Sequence, residues 1–268
     1  MTNPTLNFLV IVLYLAGASV LAFQLLRGDT PSGARRGALF ALAAVAIALH
    51  ALILFGGMHA GLNLSFTGAL ALVSWTVACL YLIVSLRRPI DNLGVFILPI
   101  AALTVLVDWL RPTPFTTPLT SYSQAIHIVV ALVAYSLMCL AAVQSVMLLA
   151  QDNQLRHKHT RGFVRALPSV QQMEEVMFQM IGLGFVLLTV TLISGVFFSE
   201  RVFATPFKLT HHIVLAALAW AVYAVLLLGR WRFGWRGRTA VRWTIGGFAL
   251  LVLAYFGTKF VLEVVLRR

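Results

Sequence analysis

The sequence predicts an all-α fold, a polytopic integral membrane bundle of eight transmembrane helices. Three observations lead there. Of the 268 residues, 60% are apolar, enough for about eight helices of the ~20 residues that a bilayer crossing needs. Charged residues make up 10% of the chain, against ~25% in soluble domains, and the mean hydropathy is +0.93. The apolar residues fall into eight runs separated by short polar segments. Lipid offers no hydrogen-bond partner to an open strand edge, so each run reads as a helix. A soluble enzyme, a disordered chain and a disulfide scaffold are excluded.

The first span, 6–26, is preceded by Met1-Thr2-Asn3-Pro4-Thr5 and followed by Arg27. It lacks a basic leader and is longer than the ~7–15 residues of a signal core, so it reads as a retained helix. The second, 37–57, follows Arg35 and Arg36 and contains His50. The third, 67–86, stops at Arg87 and Arg88. The fourth, 93–110, carries Asp108, which helical spacing pairs with Arg111. The fifth, 125–150, opens at His127 above Ala131, Ala134, Ala141 and Ser145. The sixth, 176–198, carries Gly184, Thr191 and Gly195. Small residues let backbones approach closely in lipid, so both spans read as packing seams that turn His127 toward other helices. The seventh, 211–229, opens with His211 and His212. The eighth, 243–263, holds Lys259 and Glu263, four apart and able to pair.

The connection from Gln151 to Glu175 is too short for a core of its own, so residues 1–268 read as a single transmembrane domain. Its charges suggest a surface helix or a solvated loop. Cys79 and Cys139 lie inside apolar runs with no partner nearby in sequence and read as packing residues.

The net charge is +12 and the isoelectric point about 10.9. In a membrane protein this requires no nucleic-acid partner, because Lys and Arg concentrate in cytoplasmic loops. Residues following the odd-numbered spans are Arg27, Arg35, Arg36, Arg87, Arg88, Arg156, Lys158, Arg161, Arg165, Arg230, Arg232, Arg236, Arg238 and Arg242. On the opposite side lie Arg111, Arg201, Lys208, Lys259, Arg267 and Arg268. The split, fourteen against six of the 20, places the odd-numbered exits in the cytoplasm and both termini outside. In a bacterial inner membrane, outside is the periplasm. The stretch 230–242 joins five arginines to Trp231 and Trp235, with Trp243 next, a composition suited to an interfacial anchor.

Histidine position is the sharpest signal for function. His157 and His159 flank Lys158 in a basic loop and read as solvated. The other five, His50, His59, His127, His211 and His212, fall toward one side of the membrane. Ionisable groups in lipid mark sites, and neutral imidazole is a common ligand of haem iron. His59 reads as a loop residue. His127 and His211 form the candidate iron-binding pair. His212 is its alternate, since consecutive helical residues point ~100° apart. His50 lies deeper and suits a separate, embedded position. The competing reading makes His127 a helix cap through water and the His211-His212 pair ordinary polar punctuation.

The stretch Gln124–Leu155, with an outer histidine, a tyrosine two turns on and a closing basic loop, resembles the CcsA-type cytochrome c assembly family. Leu167-Pro168-Ser169, Ile181-Gly182-Leu183-Gly184-Phe185, Gly234-Trp235-Arg236-Gly237-Arg238 and Ala254-Tyr255-Phe256-Gly257 continue the likeness in order. His50 also falls where the family carries a histidine. The resemblance covers most of 37–260 and is nearest to the compact eight-helix branch of YpjD-like and HemX-like membrane proteins. It implies an inner-membrane location, haem as cofactor, and a role in c-type cytochrome assembly or haem supply, with other membrane proteins as partners.

Two departures qualify the resemblance. The family's tryptophan-rich haem-presenting loop corresponds here to Ser199–Thr210, which has no tryptophan. The second outer histidine expected after the Tyr-Phe-Gly motif has no counterpart in Val264-Val265-Leu266-Arg267-Arg268. His211 or His212 could substitute. The role implied does not require covalent chemistry here, because the presenting loop is gone. The alternative function is a non-haem membrane accessory or regulatory protein, for example of an ion transport system, that retains the fold. A secondary transporter is the weakest reading, because no pair of Gly/Pro-broken helices recurs.

Overall fold

The computed structural model describes residues 3–29, 33–56, 61–112, 121–158, 163–197 and 211–265. Eight of the described helices are long and apolar enough to cross a membrane, as the hydropathy requires. They are built on α1 (Pro4–Arg27), α2 (Gly33–Phe55), α3 (Phe66–Ser85), α4 (Gly94–Leu110), α5 (Tyr122–Arg156), α7 (Val170–Phe197), α8 (His211–Phe233) and α9 (Gly237–Val252), the fourth span starting at Asp91 and the eighth continuing to Gly257. A short α6 (Phe163–Ala166) and a 3-10 turn (Asp91–Leu93) lie between them.

Local chemistry sets the helix ends. Asn3 caps α1 by accepting from the Thr5 N–H, and Pro4 fills the first turn, where its missing N–H is not needed. Gly28 ends α1 in the left-handed region (φ 77°), and the Asp29 N–H returns to the Gln24 carbonyl at 3.0 Å. Ser65 caps α3 through the Gly68 N–H. Ser169 and Gln172 form a reciprocal capping box that starts α7 at Val170.

The chain folds as two compact units, Met1–Thr117 with Ala150–Met173, and Pro118–Leu149 with Glu174–Arg268. Within the first, α1 packs on α2 and α4, and α3 packs on the same two, closing a four-helix ring. Its centre holds Tyr14, Ala46, Ala78 and Ala101, all fully enclosed. Apolar contacts alone provide no drive in lipid, and the ring is tied by polar bonds: Ser74 to Thr104 at 2.6 Å, and the Trp75 indole N–H to the Ile47 carbonyl at 3.0 Å. Gly94 is required at its position, because a Cβ there would overlap the Tyr81 hydroxyl and Leu21.

The second unit is also a four-helix ring. Helix α5 meets α7 where a Cβ on Gly184 would stand 3.0 Å from the Met138 methyl. Helix α7 meets α8 through stacked Phe185 and Trp220, whose indole N–H donates to Thr189 at 2.8 Å. Helix α8 meets α9 through Tyr223, whose hydroxyl donates to the Thr244 carbonyl at 3.3 Å. The continuation of α9 returns to α5, where Phe256 lies edge-on to Tyr135. The expected seam is realised at Gly184, Ala134, Ala141 and Ser145.

Several boundaries differ from the hydropathy reading. Helix α5 is 35 residues long and runs to Arg156, beyond the expected 150, with an Asp152–Arg156 pair on its last turns. Helix α7 begins at Val170 rather than 176, α8 continues to Phe233 rather than 229, and α9 begins at Gly237 rather than 243. Much of the Gln151–Glu175 connection is therefore helix. Charged residues end the apolar run but not the hydrogen-bond ladder. The eighth span is also not uniformly α-helical: Leu253–Gly257 and Phe260–Val265 are π-turns, and the first contains the Ala254-Tyr255-Phe256-Gly257 motif. Cys79 and Cys139 are free thiols, as expected.

Candidate functional site

His50 lies on α2 with no exposed surface, facing α1. Its Nδ1 is 3.1 Å from the hydroxyl of Tyr14, which is also fully enclosed, and the rings meet edge-on at 5.8 Å. Its Nε2 is buried without any hydrogen-bond partner. A buried polar atom left unpaired costs ~1–3 kcal/mol, so such an atom calls for an explanation. A neutral imidazole nitrogen in this state has the donor chemistry of a haem or metal ligand.

His127, half-buried on α5, turns to α7 as the small-residue seam requires. Its Nδ1 is 2.8 Å from the Ser194 hydroxyl, and its ring edge lies 3.6 Å from where a Gly195 Cβ would stand. The Ser194 hydroxyl donates its one proton to the Thr191 carbonyl at 3.0 Å. When that proton is given to Thr191, Ser194 accepts from His127 Nδ1–H.

His211 and His212 open α8 and are both exposed. His127 is held by Ser194 of α7. His157 is exposed in the turn after α5, in keeping with a solvated loop. His59, His159 and the Ser199–Thr210 segment lie outside the described residues. Among the described residues, no group of three or more His, Cys, Asp or Glu could hold a metal ion.

Lys259 and Glu263 pair at 2.9 Å, as their spacing predicts. Asp108 and Arg111 do not. Arg111 has left the helix (φ −133°, ψ 64°), and its carbonyl accepts from Thr67 at 3.5 Å. Once α4 ends at Leu110, i to i+3 geometry no longer holds across that pair.

Sequence reading missed the polar partners. Tyr14 and Ser194 sit in apolar runs with nothing to distinguish them until the helices pack, and Thr191 was legible only as a small residue of the seam. Glu174, only 7% exposed, accepts from Arg230 at 2.7 Å and from the Gly237 N–H at 3.4 Å, while Arg236 stands 3.8 Å away. Arg230 also lies over the Phe178 ring at 4.6 Å. Part of the expected interfacial anchor is thus a structural clamp. Trp231, 84% exposed, fits the anchor reading, while Trp235 packs on Trp243 at 5.4 Å.

The sequence pattern described as cytochrome C assembly protein matches residues 35–266. The chain belongs to that family. It is 33% identical over 271 residues to the inner membrane protein YpjD of Escherichia coli K12, covering 98% of this chain and 99% of that protein. It is 29% identical over 189 residues to the protein HemX of Brevibacillus brevis, covering 69% of each. It is 26% identical over 212 residues to the cytochrome c biogenesis protein CcsA of Prochlorococcus marinus, covering 69% of this chain and 68% of that one.

Proposed function

We propose that this protein is an inner-membrane haem-binding protein that assists c-type cytochrome assembly or haem supply. It is read as a single transmembrane domain with both termini periplasmic, in contact with the lipid bilayer and with other membrane proteins. The observation that carries the proposal is His50: a fully enclosed imidazole, held at Nδ1 and unpartnered at Nε2, in a member of the cytochrome c assembly family. When Nδ1–H donates to Tyr14, Nε2 presents its lone pair. His127, oriented by Ser194, is the second proposed ligand. His211 is its proposed partner and His212 the alternate, both exposed at the mouth of α8.

His50, His127 and His211 would hold the haem, which would supply an iron able to take imidazole nitrogen and to change oxidation state. The chain's own residues orient the imidazoles through Tyr14 and Ser194, and exclude water from His50. A non-haem accessory role, with regulation of a membrane transport system as its example, is the second reading. It is favoured by the absence of tryptophan from Ser199–Thr210.

The test is an absorption spectrum of protein purified in mild detergent from haem-replete cells. The wild type is expected to show a Soret band. His50→Ala and His127→Ala are each expected to lower haem content, and His211→Ala to lower it more than His212→Ala. A haem-free wild type, or full haem in all four variants, would overturn the proposal in favour of the accessory reading.

A further inference from the structure

A second site lies at the end of the first unit where α1 stops and α2 begins. The ends of α3 and α4 reach the same place, because Arg36 of α2 bonds Asp91 at 2.8 Å and the Ser85 carbonyl at 2.6 Å. Tyr81 secures Asp91 from behind, donating to its carbonyl at 3.0 Å. Beside this network is a cavity of about 610 Å³, within the ~300–1,000 Å³ range of small-molecule sites.

Its lining has three chemistries. Arg36, Arg87 and Arg88 supply cationic donors. Arg36 is rigid, with Nε and Nη2 committed to Asp91 and Ser85 and its plane near the Phe40 ring, so the Nη1 edge remains for a ligand. Arg87 and Arg88 make no ion pair among the described residues. Gln24 and Asp29 supply acceptors, and the Gln24 carbonyl oxygen is buried without a partner. Leu21, Leu25 and Leu86 supply an apolar wall, and Leu86 is 62% exposed.

We propose that this cavity binds an anionic glycerophospholipid of the phosphatidylglycerol type. The phosphate meets the arginines, as guanidinium groups match phosphate oxygens. The headgroup hydroxyls donate to the Gln24 oxygen and the Asp29 carboxylate, so the acceptors are explained together with the cations. The acyl chains lie along the leucines. A free phosphate uses the arginines alone and leaves both the orphaned acceptor and the apolar wall without a role. The lining is net positive by one charge, from three arginines against Asp29 and Asp91, which favours an anionic over a zwitterionic headgroup.

The test is native mass spectrometry of delipidated protein titrated with phosphatidylglycerol or phosphatidylcholine. The wild type is expected to retain phosphatidylglycerol in preference. Arg87→Ala with Arg88→Ala is expected to reduce its occupancy by about tenfold or more, the effect of losing charge-assisted hydrogen bonds. Arg27→Ala with Arg35→Ala removes the same charge from outside the cavity and is expected to retain the lipid. These four side chains are exposed, so the variants keep the fold, checked by monodisperse elution. Equal loss in both double variants would show general surface attraction and overturn the proposal. So would the absence of preference in the wild type, or displacement of the lipid by excess glycerol 3-phosphate, which would identify a soluble phosphate ester as the ligand.

Discussion

Replacing Glu174 with alanine tests the clamp that closes the α8–α9 turn. The carboxylate side chain is 10% exposed and Arg230 is 28% exposed, at 2.7 Å. Removing one partner of a buried pair costs ~3–5 kcal/mol when the other charge is fully stranded. Here Arg230 keeps the Trp235 carbonyl at 3.3 Å and the Phe178 face, so the expected loss is smaller, about 2–3 kcal/mol. Two further losses act in the same direction: the Gly237 N–H at the start of α9 loses its acceptor, and Arg236 loses its attraction. For a chain of this size, each kcal/mol moves the melting temperature by ~2–4 °C, so the expected drop is about 5–10 °C. Thermal unfolding in detergent, followed by the loss of monodisperse protein on size exclusion, measures it. Arg236→Ala serves as the control: its side chain is 66% exposed and 3.8 Å from the carboxylate, so less than about 0.5 kcal/mol is expected. The drop for Glu174→Ala should persist in high salt, because buried pairs are little screened. If Glu174→Ala melted with Arg236→Ala, the clamp would be refuted.

Two further outcomes follow from packing and charge. Gly246→Ala and Gly247→Ala should act in opposite directions in the same melting assay. A Cβ at 246 meets nothing and gains helix propensity of ~0.5–1 kcal/mol, whereas one at 247 would lie 2.9 Å from the enclosed Tyr223 ring and costs ~1–3 kcal/mol. A reporter fused after Arg268 should be active only if it works in the periplasm, and a cytoplasmically active fusion would overturn the proposed orientation.

Composition and hydropathy alone determined the class of this protein. Eight apolar runs were visible because the cost of burying polar backbone in lipid is a sum over neighbouring residues, and a sum of that kind can be read along the chain. The same locality explains why Lys259–Glu263 was legible, and why Cys79 and Cys139 read correctly as thiols without a partner. It explains the boundary errors as well. Hydropathy reports where lipid would tolerate the chain, while α5 and α7 run as far as their hydrogen bonds and caps allow. The Ser169–Gln172 capping box was present in the sequence as a start signal for α7.

The polar partners were decided only by tertiary structure. Tyr14 is 36 residues from His50, Ser194 is 67 from His127, Asp91 is 55 from Arg36, and Glu174 is 56 from Arg230. Nothing local relates the members of these pairs. The histidines could be picked out singly because imidazole in an apolar run is conspicuous. Which nitrogen each holds back, and which it presents, depends on a hydroxyl delivered by another helix. That delivery follows from small residues that let α5 and α7 approach, and from an α1–α2 contact that encloses both rings. Whether a titratable group in lipid is a cap, a clamp or a ligand is set by the atoms that close around it, and that enclosure arises only when the helices pack.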